Sequence, residues 1–193
     1  GRLHDSKDCF ETFQNVRKAG FDNINTDMIF NIPNLTVNNW KKDLNKLLEL
    51  EPEHISAYSL TVEPSTQLFN LVKRKKIIMP IEDTDIEQFL ITEDILLQNG
   101  YNHYEISNYS KKNKECLHNL HYWNLSPYLS FGPSAHSYDL HKRWWNIRSL
   151  EKYINNILSN KSPIDGSEEI KAKDHYNEMV LNSLRLSKGL DLN

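Results

Sequence analysis

Residues 24–33 read INTDMIFNIP. Apolar side chains dominate the run, one acid (Asp27) sits inside it, and Pro33 stops it. Proline has no backbone N–H to give to a strand ladder, so the run reads as a buried strand that ends there. An acid inside such a strand needs a partner. It is either a structural hydrogen-bond acceptor for a neighbouring strand or a ligand contact.

Working outward, residues 6–19 (SKDCFETFQNVRKA) place Phe10, Phe13 and Val16 at helical spacing, with Ser6 as a cap and Gly20 as a stop. Beyond Pro33, Thr36 opens a helix with Trp40, Leu44, Leu47 and Leu48 on one stripe. HISAYSLTV (54–62) is the next strand and 65–75 a short helix. Asp83 or Thr84 opens a long helix whose apolar positions are Ile86, Phe89, Leu90 and Leu97, closed by Gly100. YNHYEIS (101–107) is a further strand. Strand and helix alternate three times, which predicts an α/β fold with a parallel sheet covered by helices. After residue 108 the rhythm changes. Short aromatic strands are expected over 117–123, 128–131 and 143–147, and helices near 149–158 and 168–186. The segment SNKSPIDGS (159–167) reads as a linker. Three regions follow: 1–110, 111–158 and 159–193, the last being a linker and the start of a helical carboxy-terminal domain.

The 193 residues, 38% hydrophobic and 25% charged, suit one soluble domain with a real core and room for a small appendage. A net charge of −3 argues against a nucleic-acid binder and a basic membrane-surface protein. KRKK (73–76) and KKNK (111–114) read as solvated faces. No apolar run approaches the about 20 residues of a membrane span. Cys9 and Cys116 stand far apart, which argues against a disulfide framework and fits a reducing cytoplasm. The chain opens at Gly1 and stops just after a helical pattern, which reads as a piece of a longer protein.

In parallel α/β folds, ligands sit beyond the carboxyl ends of the strands. Candidates there are Asp27, the turn TVEPST (61–66), and Glu105 to Asn108. Glu63 either binds a ligand or caps the helix after it. HNLHYW (118–123) is the most distinctive stretch. As a strand it would point His118 and His121 to opposite faces, so the two would not chelate one metal. His118 would share its face with Leu120 and Tyr122; Asn119, His121 and Trp123 would share the other. One imidazole beside aromatic rings suits an axial haem ligand better than a zinc site, or else a hydrogen-bonded core histidine. In SFGPSAHSY (130–138), Gly132 and Pro133 bracket a turn that leads through small residues to His136; RWWN (143–146) either stacks on a flat ligand or fills a core. No dinucleotide, P-loop, zinc-protease or hydrolase motif is present.

Taken in order, GRLH (1–4), AGFDNINTDMIFNIPNLT (19–36), PEHISAYSLTVEPST (52–66), GYNHYEISNYS (100–110), ECLHNLHYWN (115–124), FGPSAHSY (131–138) and RWWNIRSLEKY (143–153) resemble the HemW family over nearly the whole chain. These are radical-SAM-type haem chaperones, similar to oxygen-independent coproporphyrinogen III oxidases. The resemblance implies the second half of a partial (β/α) barrel of radical-SAM type, followed by short antiparallel strands and a helical extension. It also implies S-adenosylmethionine, haem and a [4Fe-4S] cluster in the intact protein. The family's cluster loop, CxxxCxxC, is absent from this sequence.

By match, Arg2, Asp27 at its strand end, Thr61 and a position near His136 would line the S-adenosylmethionine side. The family's Gly-Leu-Pro is here Asn31-Ile32-Pro33, which alters the backbone approach. HNxxYW, associated with haem in the family, falls on His118, Asn119, Tyr122 and Trp123, with His118 as iron ligand; His121 occupies a variable position. The implied function is a cytoplasmic carrier that delivers haem to respiratory haem proteins, touching membranes only through those partners, with no nucleic acid and no assigned oligomeric state. Two alternatives stand beside it: an oxygen-independent coproporphyrinogen III oxidase and an inactive scaffold. True oxidases lack HNxxYW, which favours the carrier.

Overall fold

A computed structural model describes residues 4–191. They form two compact units, one up to Glu115 and one from Cys116 onward.

The first unit contains α1 (Ser6–Lys18), β1 (Asn25–Phe30), α2 (Val37–Leu48), β2 (His54–Ser59), α3 (Gln67–Lys73), α4 (Glu82–Gln98), β3 (Asn102–Glu105) and β4 (Asn108–Ser110). Asp5 caps α1, accepting from the Lys7 and Asp8 amides, while Asp8 reaches back to the Asp5 amide. Ser6, the expected cap, is therefore the first helical residue. Thr36 caps α2 as expected, through a 3.2 Å bond from the Asn39 amide.

The sheet order is β1-β2-β4-β3. β1 and β2 are parallel, in register from Asn25↔His54 to Phe30↔Ser59, with α2 as the crossover. The expected all-parallel sheet stops there. Residues 101–107 do not form one strand: the chain turns back after β3, and β4 pairs antiparallel with both β2 and β3. A connection of two residues can join only antiparallel neighbours.

Side chains alternate along these strands, so the sheet has two faces. Phe30, Ile55, Ala57 and Tyr109 pack against Trp40, Leu44 and Leu47 of α2 and Leu96 of α4. Each fully buried large side chain contributes about 1.5–3 kcal/mol. On α4 the inward positions are Gln88, Thr92 and Leu96. Of the apolar positions expected there, Phe89 packs against the core, whereas Ile86, Leu90 and Leu97 are exposed. Thr92 is tolerated inside because its hydroxyl accepts the Trp40 indole N–H at 2.8 Å. The opposite sheet face is polar.

The second unit contains α5 (Leu117–Trp123), β5 (His136–Tyr138), β6 (Lys142–Asn146), α6 (Leu150–Leu158), β7 (Ile164–Glu169) and α7 (Ala172–Arg185). β5-β6-β7 form an antiparallel sheet. Three expectations are corrected. Residues 117–123 are a helix: the stretch has no β-branched residue, and helical spacing lets His118 and Tyr122 meet as an i,i+4 ring pair. Residues 128–131 supply only the bridge Tyr128↔Tyr138. The linker read over 159–167 contains the start of β7, which pairs with β6 along most of its length. No described helix is long and apolar enough to cross a membrane.

Candidate functional site

On the polar face of the first sheet, parallel register sets Asn25 beside His54 and Asp27 beside Ser56. β4 adds Asn108 and Ser110 to the same face. His54 is buried and bonded at both ring nitrogens, Nδ1 to Asn25 Oδ1 at 2.6 Å and Nε2 to the Tyr104 hydroxyl at 2.7 Å. Asn25 Oδ1 only accepts, so Nδ1 carries the proton and Nε2 accepts from the phenol. Burial holds the imidazole below its ordinary pKa, against the opposing pull of Asp27 and Glu115.

Asp27 departs from expectation in two ways. It is exposed and not buried, and it lies third in the six-residue β1, not at its end. Its carboxylate accepts the Asn25 side-chain amide at 2.7 Å. β1 is an edge strand, which leaves this acid accessible. Thr61 is exposed beyond the end of β2. Asn31 takes a φ of 58°, the left-handed conformation that glycine favours and asparagine tolerates. Its amide donates to Gln88 Oε1 at 2.9 Å, so the turn after β1 survives the loss of glycine. Glu63 is not the α3 cap: Thr66 is, and its hydroxyl donates to the Glu63 carbonyl at 2.7 Å. Arg2 lies outside the described residues.

In the second unit, His118 is exposed on α5 with its ring edge-on to Tyr122, centroids 5.0 Å apart. Helical geometry removes the strand-parity separation of the two histidines. His121 is set apart by chemistry instead, because its Nε2 bonds the Pro127 carbonyl at 2.7 Å. Asn119 is half-buried. Tyr122 and Trp123 border a pocket of ≈ 300 Å³, walled further by Tyr128, Tyr138, Arg143 and Glu178. Arg143 holds Glu178 in a two-point pair, Nη1 to Oε1 at 3.1 Å and Nη2 to Oε2 at 2.9 Å. Hydrogen bonding to Glu178 raises the guanidinium pKa further, although partial burial opposes it. The Arg185 guanidinium lies 4.5 Å over the Trp123 ring. His136 is exposed at the start of β5, 5.8 Å from the Trp145 ring.

Tyr138 and Arg143 lie within the stretches SFGPSAHSY and RWWN, and Glu178 within the helix expected over 168–186, but no local pattern joins them to Tyr122 in one pocket. Nothing local flags His54 or Glu178 as a site residue either, since their partners lie on other elements.

The donors fit the implied groups unequally. A [4Fe-4S] cluster held by protein needs three or more thiolates, and this chain has two cysteines, one in each unit. Among the described residues no group of three His, Cys, Asp or Glu side chains could hold a metal ion. An imidazole is one of the side chains that can ligate a haem iron, and His118 is exposed beside the Tyr122 ring.

No protein-family model matches the chain. It is 34% identical over 190 residues to "Heme chaperone HemW" of Bacillus subtilis, covering 98% of this chain and 50% of that protein. It is 35% identical to the protein of the same name from Buchnera aphidicola, covering 98% and 49%. "Radical S-adenosyl methionine domain-containing protein 1, mitochondrial" of Danio rerio is 33% identical over 70% of this chain and 31% of its own length. The fold matches the solved structure described as "Coproporphyrinogen III oxidase (HemN) from Escherichia coli is a Radical SAM enzyme", with a TM-score of 0.77 at 20% identity, over 96% of this chain and 45% of that one. The chain spans about half the length of the curated relatives it matches. By sequence it is a homologue of the HemW haem chaperones across that half, and it is folded like the corresponding part of a radical-SAM protein.

Proposed function

We propose that this chain is part of a HemW-type haem chaperone, which binds haem and passes it to haem-requiring respiratory proteins. The observation that carries the reading is the exposed His118 imidazole, one helical turn before Tyr122, within a motif whose last two residues border an aromatic pocket. His118 would ligate the iron through an open ring nitrogen. Tyr122 and Trp123 would pack beside the porphyrin, and Asn119 would flank them. S-adenosylmethionine would meet the polar side of the first unit around Asp27 and Thr61. The [4Fe-4S] cluster of the intact protein would be held by residues outside this chain. The carrier would work in the cytoplasm and reach membranes through its acceptor proteins. In domain terms, 1–110 would be the barrel half and 111–158 the haem-motif region, to which β7 and α7 of 159–193 belong as part of the same compact unit.

A hemin titration of the chain tests the reading. The Soret band should shift on binding, His118→Ala should weaken binding about tenfold or more, roughly the loss of one strong contact, and His121→Ala should leave it nearly unchanged. If both variants titrate like the parent, His118 is not the ligand. Release of carbon dioxide from coproporphyrinogen III by the intact protein, reconstituted without oxygen, would move the assignment to the oxidase.

A further inference from the structure

Glu105 is 2% exposed, Asn108 4% and Ser110 0%. Glu105 faces Asn108 across β3 and β4, and Asn108 and Ser110 are two apart on β4, so all three share the polar face. Asn108 gives its side-chain N–H to Glu105 Oε1, and the Ser107 amide donates to the same oxygen at 3.2 Å. That leaves Glu105 Oε2, Asn108 Oδ1 and Ser110 Oγ, each buried without a hydrogen-bond partner among the described residues.

The three unmet atoms are all oxygens, and two of them can only accept when Glu105 is ionised. A buried carboxylate oxygen with no partner is strongly disfavoured, so the cluster calls for a positive or donating occupant. The described residues do not supply one. Among the described residues no lysine or arginine pairs with Glu105. His54, which faces Ser110, already spends both ring nitrogens on Asn25 and Tyr104. The burial of the cluster admits only something small. Carboxylate, amide and hydroxyl oxygens are a hard donor set, suited to alkali and alkaline-earth ions. The single formal negative charge selects among these: a monovalent ion neutralises it, whereas a divalent ion would leave a buried excess of positive charge.

We propose that Glu105, Asn108 and Ser110 bind one monovalent metal cation, sodium or potassium, which fastens the β3–β4 hairpin on the polar side of the first sheet. The site is independent of the haem reading and is tested without haem.

The test is thermal unfolding of the full chain at one ionic strength in sodium chloride, potassium chloride or N-methyl-D-glucamine chloride. The midpoint should rise by about 2–4 °C in at least one alkali salt and saturate with its concentration. Glu105→Gln should fold, by far-ultraviolet circular dichroism, and lose that difference. Equal midpoints in all three media would mean that water fills the cluster and would overturn the proposal. So would an undiminished salt effect in Glu105→Gln, or a larger effect of magnesium or calcium. Should Glu105→Gln fail to fold, sodium-23 line broadening by the parent chain decides. Broadening that potassium relieves supports the site, and its absence refutes it.

Discussion

The Nε2 of His54 and the hydroxyl of Tyr104 meet at 2.7 Å across 50 residues of sequence, both buried on the polar side of the first sheet. The phenol donates and the imidazole accepts, which requires a neutral ring. Burial keeps the folded-state pKa below the ordinary 6.5. The unfolded chain therefore takes up its proton first as pH falls. The contribution of His54 is complete above about 6.5 and is lost as pH drops from there toward the lowered folded value. Urea unfolding at pH 8, 7, 6 and 5.5 should show this loss, and His54→Gln should flatten it. A variant with the parent's slope would show that another group sets the pH dependence. Tyr104→Phe should cost about 1–3 kcal/mol at pH 8 by leaving the imidazole nitrogen unmet.

Thr92 supports the core in a way its polarity conceals. Its hydroxyl accepts the indole N–H of Trp40 at 2.8 Å and donates to the Gln88 carbonyl at 2.6 Å, all in the interior. Thr92→Val keeps the volume and removes the acceptor. The buried indole N–H is then unsatisfied, at a cost of about 1–3 kcal/mol. Denaturant titration should show a lower midpoint with an unchanged slope. A neutral result would mean that water reaches the indole.

Gly166 on β7 lies beneath the Trp145 ring. A Cβ there would stand 2.6 Å from Cζ2 and 2.8 Å from Cε2. A flat aromatic ring cannot yield by flexing, so either Trp145 must rotate or the β6–β7 pairing must open. Gly166→Ala should destabilise the second unit by about 1–3 kcal/mol and alter the near-ultraviolet tryptophan signal. An unchanged spectrum and midpoint would show that the ring moves freely.

The strands β1 and β2 are legible because the apolar run closed by Pro33 and the run HISAYSLTV each point to a single element. The hairpin β3–β4 was not, since pairing direction depends on where the chain turns, and nothing in YEISNYS marks the turn at Ile106 and Ser107. On α4 the apolar residues suggested one face, yet Gln88 and Thr92 face inward. Gln88 earns its place through loop contacts, accepting from the Asn31 amide and donating to the Leu35 carbonyl at 3.0 Å. Those partners lie more than fifty residues away and leave no local trace. Asp27 differs from expectation for a related reason: local hydrophobicity implies burial, but exposure on β1 is set by its place at the sheet edge. HNLHYW has the period of a helix and not that of the expected strand. Seven residues are too few for apolar periodicity to decide between helix and strand, and the want of β-branched residues was the available signal.

The two histidines of α5 should separate in opposite senses when stability and ligand binding are measured on the same variants. His118 is exposed, and its ring contact is an edge-on approach to Tyr122, itself 36% exposed. Removing a side chain from such a surface changes stability by less than about 0.5 kcal/mol. His121 ties the helix to the following turn through the Pro127 carbonyl at 2.7 Å, beside the backbone bond from Ser126 to the His121 carbonyl. His121→Ala should therefore cost about 0.5–1.5 kcal/mol. In urea titrations His121→Ala should be the weaker protein and His118→Ala should match the parent, the reverse of their order in hemin affinity. If His118→Ala lost both stability and hemin in proportion, its imidazole would be holding the helix together and the loss of ligand would be secondary. Hemin affinity lost at constant stability, with the Tyr122 ring undisturbed, is the signature of an imidazole that meets the ligand itself.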